Sequence, residues 1–492
     1  MPDRRPRRVA ALGGRLGELP PGGPISHPVP VSTLGPRQPN ASGDRDAALT
    51  PRFWAMVGAT GVAAGLFGAL LMALLFATEH LTYGYRSGSF QAAVEDVPDL
   101  RRVIALLVAG AVGGALWYVL RRVTPGERTG VDEAVWSGEP LSARRSLASS
   151  LIAELVIGMG ASIGREAAPK LMGGVAGSVL SSWAHLSPAQ RRLLVGCGAG
   201  AGLAAVYNVP LGGALFTAEV MCGSLSLSVL LPALACSLIA TATSWMYLPL
   251  HATYVDIPAF ALSAPLMVWA LLTGPVVGGI SVGYIRLIGW VSHHRVRGTP
   301  ALFAPLVAFG LLGLVAIAYP QLLGNGKDLA HMVFVGGGTL ALLAALWILK
   351  PLVTSLCLGS GASGGLFTPT LSTGAALGAL LGQAWSLVWP GSPIGAYAMV
   401  GASAMIGAAI QAPLSSIVLV LELTHSGFGI AVPIIAATVL ATLVSRHLDG
   451  HSIYSVRVSS GGDDGAGERG PAAPAAAASV AEARSARDRA RR

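Results

Sequence analysis

Charge is what this sequence has least of. Asp, Glu, Lys and Arg make up 12% of its 492 residues, about half the share found in soluble domains. With 53% hydrophobic residues beside it, that scarcity excludes an ordinary water-soluble domain. Cysteine is thin as well. Cys197, Cys222, Cys236 and Cys357 lie in or beside apolar runs without metal-ligand spacing, so they read as small core residues. No HExxH motif or carboxylate pair marks a reaction centre, and His293-His294 sit in a basic loop. Neither an intramembrane enzyme nor a metal or cofactor is expected. The first fifty residues contain no apolar stretch of signal-peptide type. The net charge of +9 comes from arginines in the tails and connections, such as Arg4, Arg5, Arg121, Arg122, Arg144, Arg145, Arg191 and Arg192. That distribution does not point to a nucleic-acid partner.

What the sequence does have is apolar length and glycine. Runs near 53–78, 103–120, 228–250, 264–290, 301–319 and 393–447 suit helices crossing a bilayer, which takes about 20 residues each. The 64 glycines suit membrane helices packed at short range. The fold class is therefore an all-α polytopic membrane protein. Its single membrane domain covers 51–456, between tails at 1–50 and 457–492 whose Pro, Gly, Ala and Arg content predicts disorder. The arginine bias predicts cytoplasmic termini, a loop with Glu79, Glu95, Asp96 and Asp99 outside, and a basic inner loop at 121–145.

The sequence also repeats itself. NVPLGGALFTAEV (208–220) and QAPLSSIVLVLEL (411–423) share an amide, a Pro-Leu and a Glu at the same spacing, about 200 residues apart. Upstream, IGREAAPKLMGG (163–174) is echoed by GGLFTPTLSTG (364–374). Two such pairs predict halves of about 51–250 and 251–456, an inverted repeat in which broken, re-entrant helices meet near the midplane.

A helix that starts inside the membrane leaves its first N–H groups unpaired and carries partial positive charge. Several such ends aimed at one point hold an anion without gripping it as a lysine would. Candidate starts are Thr129-Gly130, Gly164 to Ala168 and Gly365 to Pro369. Glu166 stands at one of them. A carboxylate there imitates the anion and blocks its site, and protonation removes the block.

With those residues in view, the chain resembles the CLC family of voltage-gated chloride channels and chloride/proton exchangers from about 53 to 456. GREAAP is similar to the family's GREGP, placing Glu166 on the gating glutamate. GGLFTP matches GxFxP through Gly365, Phe367 and Pro369. RTGVDE stands where the family has GSGIPE, with Thr129 on the anion-binding serine, and HSIYSV places Tyr454 on the anion-facing tyrosine. The resemblance implies an anion site of Thr129, Gly130, Gly164, Arg165, Glu166, Gly365, Leu366, Phe367 and Tyr454. It further implies a homodimer joined through the 208–220 and 411–423 helices, with one pore per subunit. The 36 residues after Val456 are too few for a CBS-domain pair, as expected of a bacterial-type member in the inner membrane.

Three departures from the pattern stand out. Ala167-Ala168 replace Gly-Pro, Arg128, Thr129 and Asp132 replace Gly, Ser and Pro, and Val220 follows Glu219 where exchangers carry a second, proton-relaying Glu. Val220 favours a passive chloride channel. Bacterial-type membership favours a chloride/proton antiporter, with Glu219 or Glu154 as the available relay carboxylates. Glu154 also fits a packing role, Glu219 and Glu422 fit structural caps, Arg165 fits electrostatic support of Glu166, and Lys350 fits an interfacial, snorkelling cation. An unrelated inverted-repeat transporter is the reading outside the family.

Overall fold

The computed structural model describes residues 49–85, 88–126, 130–137 and 140–458. The tails expected at 1–50 and 457–492 fall almost wholly outside that range, and so does Thr129. Among the described residues there are eighteen α-helices and no strand. They are α1 (Pro51–Tyr83), α2 (Phe90–Asp96), α3 (Asp99–Val123), α4 (Val131–Ser137), α5 (Ala143–Gly158) and α6 (Ala167–Trp183). Then come α7 (Pro188–Tyr207), α8 (Pro210–Phe216), α9 (Leu227–Ser244), α10 (Ala264–His293), α11 (Ala304–Ala318) and α12 (Lys327–Phe334). The last are α13 (Leu340–Gly359), α14 (Phe367–Ser386), α15 (Ile394–Ile410), α16 (Pro413–Thr424), α17 (Phe428–Leu448) and α18 (Ser455–Val458).

Among the described residues six helices, α1, α3, α9, α10, α13 and α17, are long and apolar enough to cross a membrane. Leu66, Leu70, Val119, Leu238 and Leu272 on these helices face outward. Such an apolar exterior suits lipid, whereas in water it would be an aggregation surface. The chain is a multi-pass membrane protein.

The structure corrects three details of the sequence reading. The apolar run 393–447 is three helices, broken at Gln411 (φ 60°) just before Pro413 and again at His425 (φ 48°). The 301–319 run contains only the 15-residue α11. A span absent from those runs, α13, carries Lys350 and Pro351 in its middle, which hides it from a simple apolar count.

The repeat is visible in the packing. α1 lies against α7 and α9, as α10 lies against α15 and α17, and α6 pairs with α7 as α14 does with α15. The amide-x-Pro motif has one structural meaning in both copies. Asn208 (φ 57°) and Gln411 (φ 60°) end α7 and α15 in the left-handed conformation, which the short Asn side chain tolerates. At Gln411 it is held by hydrogen bonds from the side-chain amide to Ala408 O and Ser445 Oγ (2.9 Å each). Pro210 and Pro413 then sit in the first turns of α8 and α16, where a missing N–H costs nothing.

α8 and α16 also complete one another. Glu422 at the end of α16 accepts from the N–H groups of Leu211 (3.1 Å) and Gly212 (2.6 Å) at the start of α8. Glu219, in the π-helical turn after α8, accepts from Leu414 N–H (3.3 Å), Ser415 N–H (2.7 Å) and Ser415 Oγ (2.7 Å) at the start of α16. Each anion meets a positive helix end. Elsewhere glycine sets the distance between helices. A Cβ at Gly173 on α6 would collide with the Gly198 carbonyl on α7, and one at Gly198 with the Gly173 carbonyl.

Candidate functional site

Two short segments bring the starts of α6 and α14 together. Gly164 N–H donates to Gly365 O (2.8 Å) and Gly365 N–H to Gly164 O (2.7 Å), an antiparallel clasp of two backbone bonds. The two GGLFTP/IGREAAP segments are thus joined at their glycines, and each clasped residue is followed within three positions by a helix. α6 starts at Ala167 with Glu166 as its cap residue, so replacing Gly-Pro by Ala167-Ala168 leaves a helix start in place. The Glu166 carbonyl accepts from Lys170 N–H (3.1 Å), closing the first turn.

The Glu166 side chain does not cap its own helix. It crosses to the other repeat, where Oε1 accepts from Phe367 N–H at 2.6 Å, the first residue of the 20-residue α14. Oε2 accepts from Thr368 Oγ1 (3.2 Å) and Tyr207 OH (3.3 Å), and those two hydroxyls are themselves 2.6 Å apart. The carboxylate is almost fully buried, at 3% exposure. So sheltered, it is held by a helix-end N–H and two hydroxyls, without a formal cation in direct contact. Gly164 and Gly365 leave room for it in this position: a Cβ on either would displace the Glu166 carboxylate.

Of the residues expected at the site, Gly164, Glu166, Gly365, Leu366 and Phe367 meet here, with Leu366 capping α14 and fully buried. Arg165 does not touch the carboxylate. Its guanidinium stacks over the Tyr207 ring at 5.2 Å, so it supports the site from behind a donor. Tyr454 lies near Lys170, one turn along α6 from Glu166. The Lys170 ammonium sits 4.4 Å from the Tyr454 ring centre and 5.7 Å from that of Phe216, and contacts both oxygens of Asp132 at 3.1 Å. Gly130 immediately precedes α4, the short helix that carries Asp132. Thr129 lies outside the described residues.

The carboxylates named as relays occupy different surroundings. Glu219 holds α16 as described above. Glu154 is fully buried on α5, and neither of its oxygens has a hydrogen-bond partner among the described residues. The hydroxyls of Ser150 and Ser146, one and two turns earlier on α5, are likewise buried without a partner among the described residues. Lys350 is a correction: it is fully buried rather than snorkelling. Its ammonium donates to Ser162 Oγ (2.8 Å), Leu322 O (3.2 Å) and Gly324 O (3.0 Å), and so satisfies carbonyls in a bend that leaves them open. Through Ser162 it braces the segment leading to the Gly164 clasp.

Sequence reasoning missed Tyr207, Thr368 and Lys170. Each adjoins a motif that was read, since Tyr207 precedes Asn208, Thr368 lies inside GGLFTP and Lys170 is four residues past Glu166. The signals were a polar residue next to a helix end and a cation one turn from a gate candidate.

The chain also has relatives among known proteins. Residues 109–446 match the family described as voltage gated chloride channel. The voltage-gated ClC-type chloride channel ClcB of Citrobacter koseri is 29% identical over 405 residues, covering 80% of this chain and 96% of that protein. Its namesake in an Escherichia coli strain is 30% identical over 382 residues, covering 75% and 89%. Among solved structures, a slow cyanobacterial Cl⁻/H⁺ antiporter superposes with a TM-score of 0.75 at 22% identity, covering 85% of this chain and all of that one. A CLC-type fluoride/proton antiporter gives 0.65 at 22% identity, covering 82% and 97%. With its clasped helix starts, its crossed carboxylate and a family match over most of its length, this chain belongs to the voltage-gated chloride channel (CLC) family.

Proposed function

We propose that the protein carries chloride or a similar small inorganic anion across the membrane, gated by Glu166. The observation behind this reading is the 2.6 Å bond from Phe367 N–H to the Glu166 carboxylate. A side-chain anion occupies the open end of a helix, the kind of place where a diffusing anion would bind. Protonating or withdrawing the carboxylate would release that N–H and the two hydroxyls to a halide. The weak, shared nature of these donors suits passage, because an ion must also leave. The test is halide efflux from liposomes over a pH series. Glu166→Gln is expected to give flux that no longer responds to acid, and wild-type acid activation in that variant would remove Glu166 from the gate.

Within this reading we favour passive conduction, because Val220 offers no proton-carrying group where exchangers of the family carry a carboxylate. The exchanger reading has its own support in Glu154, a buried carboxylate with no partner among the described residues, and in the two solved antiporters of similar fold. The expected assembly is a homodimer in a bacterial inner membrane with cytoplasmic termini. Leu211 and Leu414, at equivalent places on α8 and α16 and each 44% exposed, supply a matched apolar surface for it.

A further inference from the structure

A cavity of about 910 Å³ opens on the outer surface where the end of α10, the start of α11 and the end of α13 meet. Its volume falls within the range of small-molecule sites, roughly 300–1,000 Å³. Leu287, Val307, Leu352 and Leu356 give it an apolar wall, and Trp290 and Phe303 stand exposed at its edge. Two features break the apolar pattern. Ser355 lines the wall, buried at 4% exposure, and its hydroxyl has no partner among the described residues. Left so in an apolar medium it is costly, and an acceptor on a ligand would relieve it. The second feature is positive charge at one end. His294, itself part of the wall, is followed by Arg295 and Arg297, all three exposed. Arg295 donates to Gly361 O at 3.3 Å, and Arg121 from the end of α3 donates to the same carbonyl at 2.5 Å. Gly361 comes two residues after Gly359, where α13 and the cavity wall end. Neither stretch of chain around the cavity, 287–308 or 352–360, contains an Asp or Glu.

We propose that this cavity binds one anionic phospholipid, with its phosphate at Arg295 and Arg121, an ester carbonyl accepting from Ser355, and an acyl chain along α13. The order of groups in such a lipid is the order of groups in the site. Charge lies at the mouth, a hydroxyl about 6 Å of helix deeper, between Gly359 and Ser355, and apolar wall beyond. A guanidinium has five N–H donors in a fork, so it can hold a carbonyl and a phosphate oxygen at once. Basic pockets between membrane helices on the cytoplasmic side recognise anionic headgroups in this way. Arg121 opens the basic loop at 121–145, which the arginine bias assigns to that side. A neutral or apolar occupant would fill the wall and leave the charge at the mouth unanswered. The bound lipid would also brace the path to the gate, because Gly361 lies four residues before Gly365 and its clasp with Gly164. Such a site serves passive conduction and exchange alike.

The experiment adds phosphatidylglycerol or phosphatidylcholine to the delipidated full-length protein in detergent and counts retained lipid by native mass spectrometry. Wild type is expected to prefer phosphatidylglycerol by about tenfold or more, the weight of two arginines beside a headgroup. Arg295→Gln/Arg297→Gln should erase that preference. Val307→Trp changes an exposed side chain of the wall and leaves the arginines alone, so it stays informative if the arginine variant fails to fold. It should abolish retention by filling the space of the acyl chain. Phosphatidylglycerol brominated on its acyl chain locates the lipid, since it should quench a part of the tryptophan fluorescence that Trp290→Phe removes. Equal retention of the two lipids by wild type would overturn the proposal and leave the cavity to ordinary surrounding lipid. A preference that survives both Val307→Trp and the arginine variant, or quenching unaffected by Trp290→Phe, would overturn it by placing the anionic lipid elsewhere.

Discussion

Tyr207 and Thr368 belong to opposite repeats, yet their hydroxyls lie 2.6 Å apart and both reach the same oxygen of Glu166. One comes from the end of α7 and the other from the first turn of α14. The Glu166 carboxylate is therefore held by both halves of the molecule, with the Phe367 N–H as its shortest bond.

Loosening that grip should open the path. Tyr207→Phe removes one donor while keeping the ring on which Arg165 stacks. Loss of one hydrogen bond to a charged group is worth roughly 1.5–3 kcal/mol, so halide efflux at neutral pH should rise by about tenfold or more. An efflux rate equal to wild type would mean that Tyr207 does not restrain the gate.

The anion site expected around Tyr454 and Thr129 has its own test. Tyr454→Ala and Thr129→Ala should each weaken bromide binding by roughly 0.5–3 kcal/mol, the range for one lost donor. Calorimetry showing unchanged affinity in both would locate the anion site elsewhere.

A chloride gradient should not drive protons uphill. Liposomes loaded with chloride, with external pH followed as the gradient is opened, provide the measurement. Sustained proton movement that Glu166→Gln abolishes would establish an exchanger, and Glu154→Gln would then show whether the partnerless carboxylate on α5 carries the proton. Val220→Glu should raise coupling if the missing carboxylate is the barrier.

Glu219 and Glu422 should behave as a matched pair of caps. Glu219→Gln and Glu422→Gln each weaken bonds to two backbone N–H groups, which should cost about 1–3 kcal/mol apiece. Thermal unfolding in detergent is the readout, with halide flux per folded protein unchanged. A Glu219→Gln protein of full stability but reduced proton movement would make Glu219 a relay instead.

The features legible in the sequence were those written in local grammar. Amide-x-Pro announced a helix end and a new start, and GGLFTP announced a helix beginning in an apolar region. The Gly and Glu repeats announced a duplication. What stayed hidden depended on side chains far apart in sequence. Nothing near Glu166 tells that its carboxylate crosses 201 positions to Phe367, and nothing near Lys350 tells that three oxygen atoms from two distant segments wait for it. The α13 span was masked for a related reason. A lysine and a proline in mid-helix look like an interruption until the fold supplies the lysine's acceptors.

The Gly164–Gly365 clasp has a consequence for how the chain is made. The ribosome supplies Gly365 about 200 residues after Gly164, which at roughly 5–20 residues per second is a delay of about 10–40 s. Throughout that interval Glu166 has neither the Phe367 amide nor Thr368, and the start of α6 has no opposite number. The newborn first half must therefore wait in the bilayer with its most polar segment unmatched. Synthesis of α14 is the moment at which the site comes into being.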